Sequence, residues 1–213
     1  MTALRSPIPG RRVTPFDDPD QRFIAGRFGM WLLLATLGML FAASIIGFVV
    51  LRIAATDPAR PPLPSLPPLP VAIWIATALL IASSVTMQFA LVAARRGRPG
   101  AVVAGMIVTT LLGLAFVGVQ IVAWRAWLAP AEAALASSGD AHVYMILGFY
   151  VLTGLHAAHV IGGLIPMLVV TARALLGRYT PARHDGVQYC AMYWHFLDAV
   201  WMALFLLLLL GTP

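Results

Sequence analysis

Three histidines and one aspartate stand where a chain this apolar gives them little water. His156 and His159 lie in one apolar run, and His195 and Asp198 lie in the next. The members of each pair are three positions apart, which on a helix is about 60°, so each pair shares a face. Gln188, His195 and Asp198 fall within about 80° of one another, with Trp194, Trp201 and Phe205 alongside. Gly148 and Gly163 share the side that carries His156 and His159. Asp198 is the only acidic residue inside any apolar run. A carboxylate in hydrocarbon costs about 2.5–3.5 kcal/mol on insertion scales, so it should face protein or water and have a partner. His195, one turn away, is the nearest candidate in sequence; His156 or His159 across a helix interface is another.

Three chemistries are open to this set. The imidazoles are of the type that ligates b-type haem. Histidines at i and i+3 on one helix cannot grip one haem from both faces, although His195 could supply the far side. Together with Asp198 they could pass a proton. Or they hydrogen-bond helix to helix along a protein-facing seam.

Other catalytic patterns are missing. The chain has no G-x-S-x-G, no H-E-x-x-H and no P-loop. Glu132 and Asp140 fall in an expected external loop and make no acid–base pair. The single cysteine, Cys190, can form neither an internal disulfide nor a Cys-rich metal site, and reads as a small buried apolar residue. Trp31, Trp74, Trp124 and Trp127 lie near the ends of apolar runs, as interfacial belt residues do.

The elements that must position these groups are membrane helices. Apolar residues make up 61% of the 213-residue chain and charged residues only 10%. A soluble domain is about a quarter charged, so this chain lacks the polar surface of a water-exposed globule. Long apolar runs predict an all-α membrane protein, a bundle of five transmembrane helices. The spans are expected at about 28–50, 71–93, 101–124, 143–172 and 188–210. Residues 1–27 read as a polar tail whose prolines (7, 9, 15 and 19) suit helix poorly. No cleavable signal peptide is expected, because the first apolar run is long enough to span the bilayer. The stretch from Asp57 to Pro70, DPARPPLPSLPPLP, forbids continuous helix and favours an extended linker. Glu132, Gly139 and Asp140 mark a loop before the fourth span.

Small and polar stripes predict the packing faces. They are Thr36, Ser44 and Gly47 in span 1, Thr77, Ser84 and Gln88 in span 2, Gly105, Thr109, Gly113 and Gln120 in span 3, and Gly154, Ala158 and Gly162 in span 4.

All fourteen basic residues are arginines, and the net charge is +6. They sit in short segments between apolar runs and form no basic face, which argues against nucleic-acid binding. With five spans, eleven arginines fall on one side and three (52, 60 and 125) on the other. The asymmetry places the N-terminus in the cytoplasm and the C-terminus outside, on the periplasmic side of a bacterial inner membrane.

Spans 4 and 5 also carry a family resemblance. Phe149-Tyr150-Val-Leu-Thr-Gly154-Leu-His156-Ala-Ala-His159-Val160-Ile-Gly162-Gly163 resembles the F-Y-x-x-T-G-x-H-x-x-H-V-x-x-G segment of haem–copper oxidase subunit III. Tyr193-Trp194-His195-Phe196-Leu197-Asp198-Ala-Val200-Trp201 resembles the family's Y-W-H-F-V-D-x-V-W signature. Weaker echoes occur at Gly29 to Leu32, Ser83 to Thr86 and Gly113 to Gln120. Five spans resemble the short form of the family, found in quinol oxidases and some bacterial cytochrome c oxidases.

The resemblance implies a non-catalytic subunit with no redox centre of its own. It implies a partner subunit I that carries the haem and copper, a subunit II in the same complex, and phospholipid bound in a cleft. His156, His159, Gln188, His195 and Asp198 would then form a structural polar seam, with Gly154, Gly163, Tyr193, Trp194, Phe196 and Trp201 as signature positions. An alternative context is an accessory protein of a nitric oxide reductase; an independent b-type cytochrome or a proton-coupled transporter is a third. Three carboxylates common in the family are replaced, at Leu37, Ala123 and Gln188. The lipid and proton-uptake role associated with the first is not carried over to Leu37.

Overall fold

A computed structural model describes residues 19–54, 69–138 and 140–210. The linker expected at 57–70 and the tail before residue 19 lie mostly or wholly outside them. Five helices, each long and apolar enough to cross a membrane, make up the described chain. They are α1 (Pro19–Ala54), α2 (Val71–Arg95), α3 (Pro99–Ser138), α4 (Asp140–Leu175) and α5 (Asp185–Leu209).

Several helices outrun their apolar stretches. α1 begins at Pro19, nine residues before the expected start, because the last of the tail prolines occupies the first turn, where a missing N–H breaks no hydrogen bond. α3 continues through Glu132 to Ser138, so the expected loop before the fourth span is mostly helix. The residues there are Ala-rich, which favours helix even outside hydrocarbon.

Two of the connections close with the same device. After α2, the Arg98 N–H donates to Ala93 O at 3.0 Å and the Gly97 N–H to Ala94 O at 3.2 Å. After α4, the Arg178 N–H donates to Arg173 O at 3.1 Å and the Gly177 N–H to Ala174 O at 2.9 Å. Both glycines have φ of 66°, so both ends are Schellman caps that need a residue without Cβ strain. A Cβ on Gly97 would lie 2.9 Å from Pro181 Cγ, which places the two turns side by side at one end of the bundle. Tyr189 near the start of α5 donates to Phe23 O at 3.2 Å and brings the start of α1 to that end as well. The arginines of these segments therefore gather at one end.

The packing order is α3 between α2 and α4, with α5 against α2 and α4. Among the described residues α1 packs only on α4 and α5. Its Ile24, Phe28, Trp31 and Met39 are exposed, as lipid- or partner-facing residues of a membrane chain would be.

The stripe on α2 meets a neighbouring helix as expected, and that helix is α5. The stripe on α3 divides: Gly105 abuts Ala90 of α2, while Gly113 abuts Leu164 of α4 and Trp194 of α5. The expected faces of α1 and α4 are not their packing faces. Thr36 and Ser44 donate to their own helix, at Leu33 O and Leu40 O, and Gly47 has no neighbour within 4 Å. Gly154 and Gly162 likewise abut nothing, and Ala158 is exposed; Gly148 against Phe48 and Gly163 against Tyr193 make the close contacts of α4. Phe48 and Tyr193 decide this, since each packs where a glycine of α4 leaves room.

Candidate functional site

The polar seam between α2 and α5 is built two turns at a time. Trp194 and Trp201 are seven residues apart and point at the same neighbour. The Trp194 indole N–H donates to Ser83 Oγ at 2.8 Å, and the Trp201 indole N–H donates to Thr77 Oγ1 at 3.0 Å. Both rings are buried. His195 takes the outer side of this seam. Its Nε2 lies 3.3 Å from Gln88 Oε1, and its Nδ1 lies 2.7 Å from the Ser84 hydroxyl.

Asp198 is not paired with any of the histidines named as candidates. Its two carboxyl oxygens are buried and make no hydrogen bond among the described residues. The Ser84 hydroxyl stands beside it and also lies 2.7 Å from His195 Nδ1. His159 bonds within its own helix, Nδ1 to Leu155 O at 2.8 Å. Its backbone carbonyl accepts from the Tyr193 hydroxyl of α5 at 3.1 Å. Gln188 is half-buried in the first turn of α5, with its backbone N–H donating to His184 O at 3.1 Å.

His156 is fully buried, and neither ring nitrogen has a hydrogen bond. Phe41 of α1, Phe116 of α3 and Trp201 of α5 surround it, with ring centroids at 6.2, 5.9 and 5.0 Å. The structure thus divides the predicted set: His195 joins two helices through its side chain, His159 through its backbone, and His156 and Asp198 are enclosed. Among the described residues no three of His, Cys, Asp and Glu converge as a metal-binding group would.

Other interhelical bonds were not foreseen. Trp124 donates to Thr153 Oγ1 at 3.0 Å, and Tyr150 donates to Trp124 O at 3.1 Å, joining α3 to α4. Trp127 stacks on Phe149 in the interior, so it is not an interfacial belt residue. The Thr86 and Thr109 hydroxyls lie 2.8 Å apart and join α2 to α3. Phe149, Tyr150 and Thr153 stand in the family segment, but only the folded register shows what they meet.

A second feature lies at the arginine-rich end. Arg22, Arg173, Arg178, Arg183 and His184 line an open cup of about 820 Å³, with Asp185 the one acidic residue on its wall. Tyr179 also lines it, and burial raises its hydroxyl above the usual phenol range against the opposing pull of Arg173. Arg173 and Gly186 are shared with a groove of about 680 Å³ that runs along α1, α4 and α5. Leu37, His159, Gly163, Pro166, Tyr189 and Tyr193 line this groove, so cup and groove form one continuous amphipathic surface.

Comparison with known proteins bears on this arrangement. A family model described as cytochrome c oxidase subunit III matches residues 24–211. The chain is 33% identical over 183 residues to cytochrome bo(3) ubiquinol oxidase subunit 3 of Pseudomonas aeruginosa, covering 84% of this chain and 81% of that one. It is 34% identical over 167 residues to the probable cytochrome c oxidase subunit 3 of Mycobacterium bovis, covering 78% and 79%. Against cytochrome c oxidase subunit 3 of Branchiostoma lanceolatum it is 36% identical over 129 residues, 61% of this chain but only 46% of that longer one.

Proposed function

The chain belongs to the cytochrome c oxidase subunit III family, and from that premise we propose that it serves as the non-catalytic third subunit of a haem–copper terminal oxidase. The observation that carries this reading is the family match over nearly all of a five-helix bundle. The relatives described above are all named as oxidase subunits, which supports an oxidase over a nitric oxide reductase as the setting.

The finer parts of the reading follow from the family and from the geometry. The haem and copper belong to subunit I, and subunit II completes the complex. Both nitrogens of His195 are engaged with α2, and His156 is wrapped by three aromatic rings. A haem between them would have to displace those contacts. His156, His159, Gln188, His195 and Asp198 serve the bundle's internal fit, and the exposed sides of α1 and α2 are available to a partner. The groove takes an acyl chain and the adjoining cup takes the phosphate of a phospholipid headgroup. Leu37 gives that groove an apolar wall at the position where the family resemblance implies a carboxylate. The arginine-rich end faces the cytoplasm of a bacterial cell, with the inner membrane as its site.

Mild-detergent purification of the tagged chain from its native membrane tests the assignment. Haem and copper should come with it, in a preparation that reduces oxygen, while the chain expressed alone should be colourless. A Soret band from the isolated chain, or co-purification with a nitric oxide-reducing partner that does not reduce oxygen, would refute it.

A further inference from the structure

The α3–α4 interface contains two buried polar side chains with nothing to bond. Contacts along it fix an antiparallel register. Gly113 meets Leu164, Phe116 meets His156, Trp124 meets Thr153, and Trp127 meets Phe149. Gln120 lies between Phe116 and Trp124 in sequence, so it stands level with the His156–Thr153 turn of α4. Residues 113, 116, 120, 124 and 127 fall within about 80° of helix α3, and the other four all touch α4. Gln120 therefore lies within the α4-facing stripe.

Gln120 and His156 are each 0% exposed. Neither amide atom of Gln120 and neither ring nitrogen of His156 has a hydrogen bond. Thr153 cannot serve as their donor, because its hydroxyl donates to Phe149 O at 2.7 Å. The His156 ring is held by aromatic side chains from three other helices and is not free to swing toward a carbonyl. A buried group left in this condition carries its full desolvation cost, and no bulk water reaches it within the bundle.

We propose that Gln120 and His156 together form an internal water-binding site between α3 and α4. One water both donates and accepts, which suits an amide with both functions facing an imidazole with one N–H and one bare nitrogen. It accepts from one side chain and donates to the other, and so adds a polar link between the two helices beside the Trp124–Thr153 bond. This site is independent of the lipid groove and of any redox partner.

Solid-state NMR of the isotopically labelled full chain in lipid bilayers provides the test. Magnetisation started on water should reach the His156 ring N–H and the Gln120 amide several-fold faster than the enclosed rings of Phe116 and Trp201. In Gln120→Leu, transfer to His156 should fall to the level of those rings. A direct Gln120–His156 contact without water transfer would overturn the proposal, as would transfer to His156 that survives in Gln120→Leu. Should that variant fail to insert, the wild-type transfer rates alone decide the matter.

Discussion

Asp198 shows how a single buried charge constrains its surroundings. Its carboxyl oxygens are enclosed, and the Ser84 hydroxyl stands between it and His195. Replacing it with Ala should weaken the oxidase complex while any complex that survives keeps its normal initial turnover. Oxygen consumption per haem, measured beside the yield of intact complex, separates the effects. Intact assembly with abolished proton transfer would show that Asp198 moves protons instead. The Trp201–Thr77 bond gives a cleaner measure of the seam's strength. Thr77→Val keeps the volume and removes the acceptor, and interhelical bonds of this kind contribute roughly 0.6 and at most about 1.7 kcal/mol. Denaturation in mixed detergent micelles should show a loss in that range. Ser44→Ala, which removes a bond within α1 only, should show none. The sequence could place Trp201, His195 and Asp198 on one face of α5. It could not tell which polar atoms meet, since that depends on a register of α2 against α5 set by many side chains at once.

Among the helices, glycines opposite large rings and close backbones govern the packing. A Cβ on Gly105 would come within 2.8 Å of Ala90 Cβ and 3.1 Å of its Cα, on a neighbour that cannot turn away. Gly105→Val should therefore cost about 1–3 kcal/mol or more through overpacking. Gly47→Val, at a site with nothing within 4 Å, should stay within about 0.5 kcal/mol of wild type. The same micelle denaturation compares the two, and equal losses would contradict the packing described here. The five helices are legible in the sequence because unbroken apolar length is an intrinsic property of each segment. Helix ends are less so: the starting turn at Pro19 and the extension to Ser138 depend on capping and propensity beyond the apolar run. The small-residue stripes succeed on α2 and partly on α3, yet fail on α1 and α4. Small residues are common in membrane helices, and on α4 the glycines that make contacts are those facing Phe48 and Tyr193.

The whole bundle creates a surface that no single segment announces. Arginines spread over three separate stretches of sequence meet at one end because the α2–α3 turn, the α4–α5 connection and the start of α1 converge there. Their side preference is readable by counting, but the cup is not, because its walls come from residues about 150 positions apart. With the cup opening onto an apolar groove, the assembled molecule should prefer a lipid whose headgroup carries net negative charge. Each arginine near the membrane surface contributes about 1 kcal/mol toward anionic lipid. Converting Arg178 and Arg183 together to Gln should therefore weaken that preference by about 2 kcal/mol, roughly thirtyfold in relative affinity. Neither side chain lines the groove, so the acyl-chain contacts should be left in place. Native mass spectrometry of the purified complex, exchanged into micelles with phosphatidylglycerol and phosphatidylcholine, reads the ratio of the two lipids retained. A fall in the phosphatidylglycerol share with total lipid nearly unchanged is the expected result. An unchanged ratio would mean that the arginines orient the chain in the membrane without selecting a lipid.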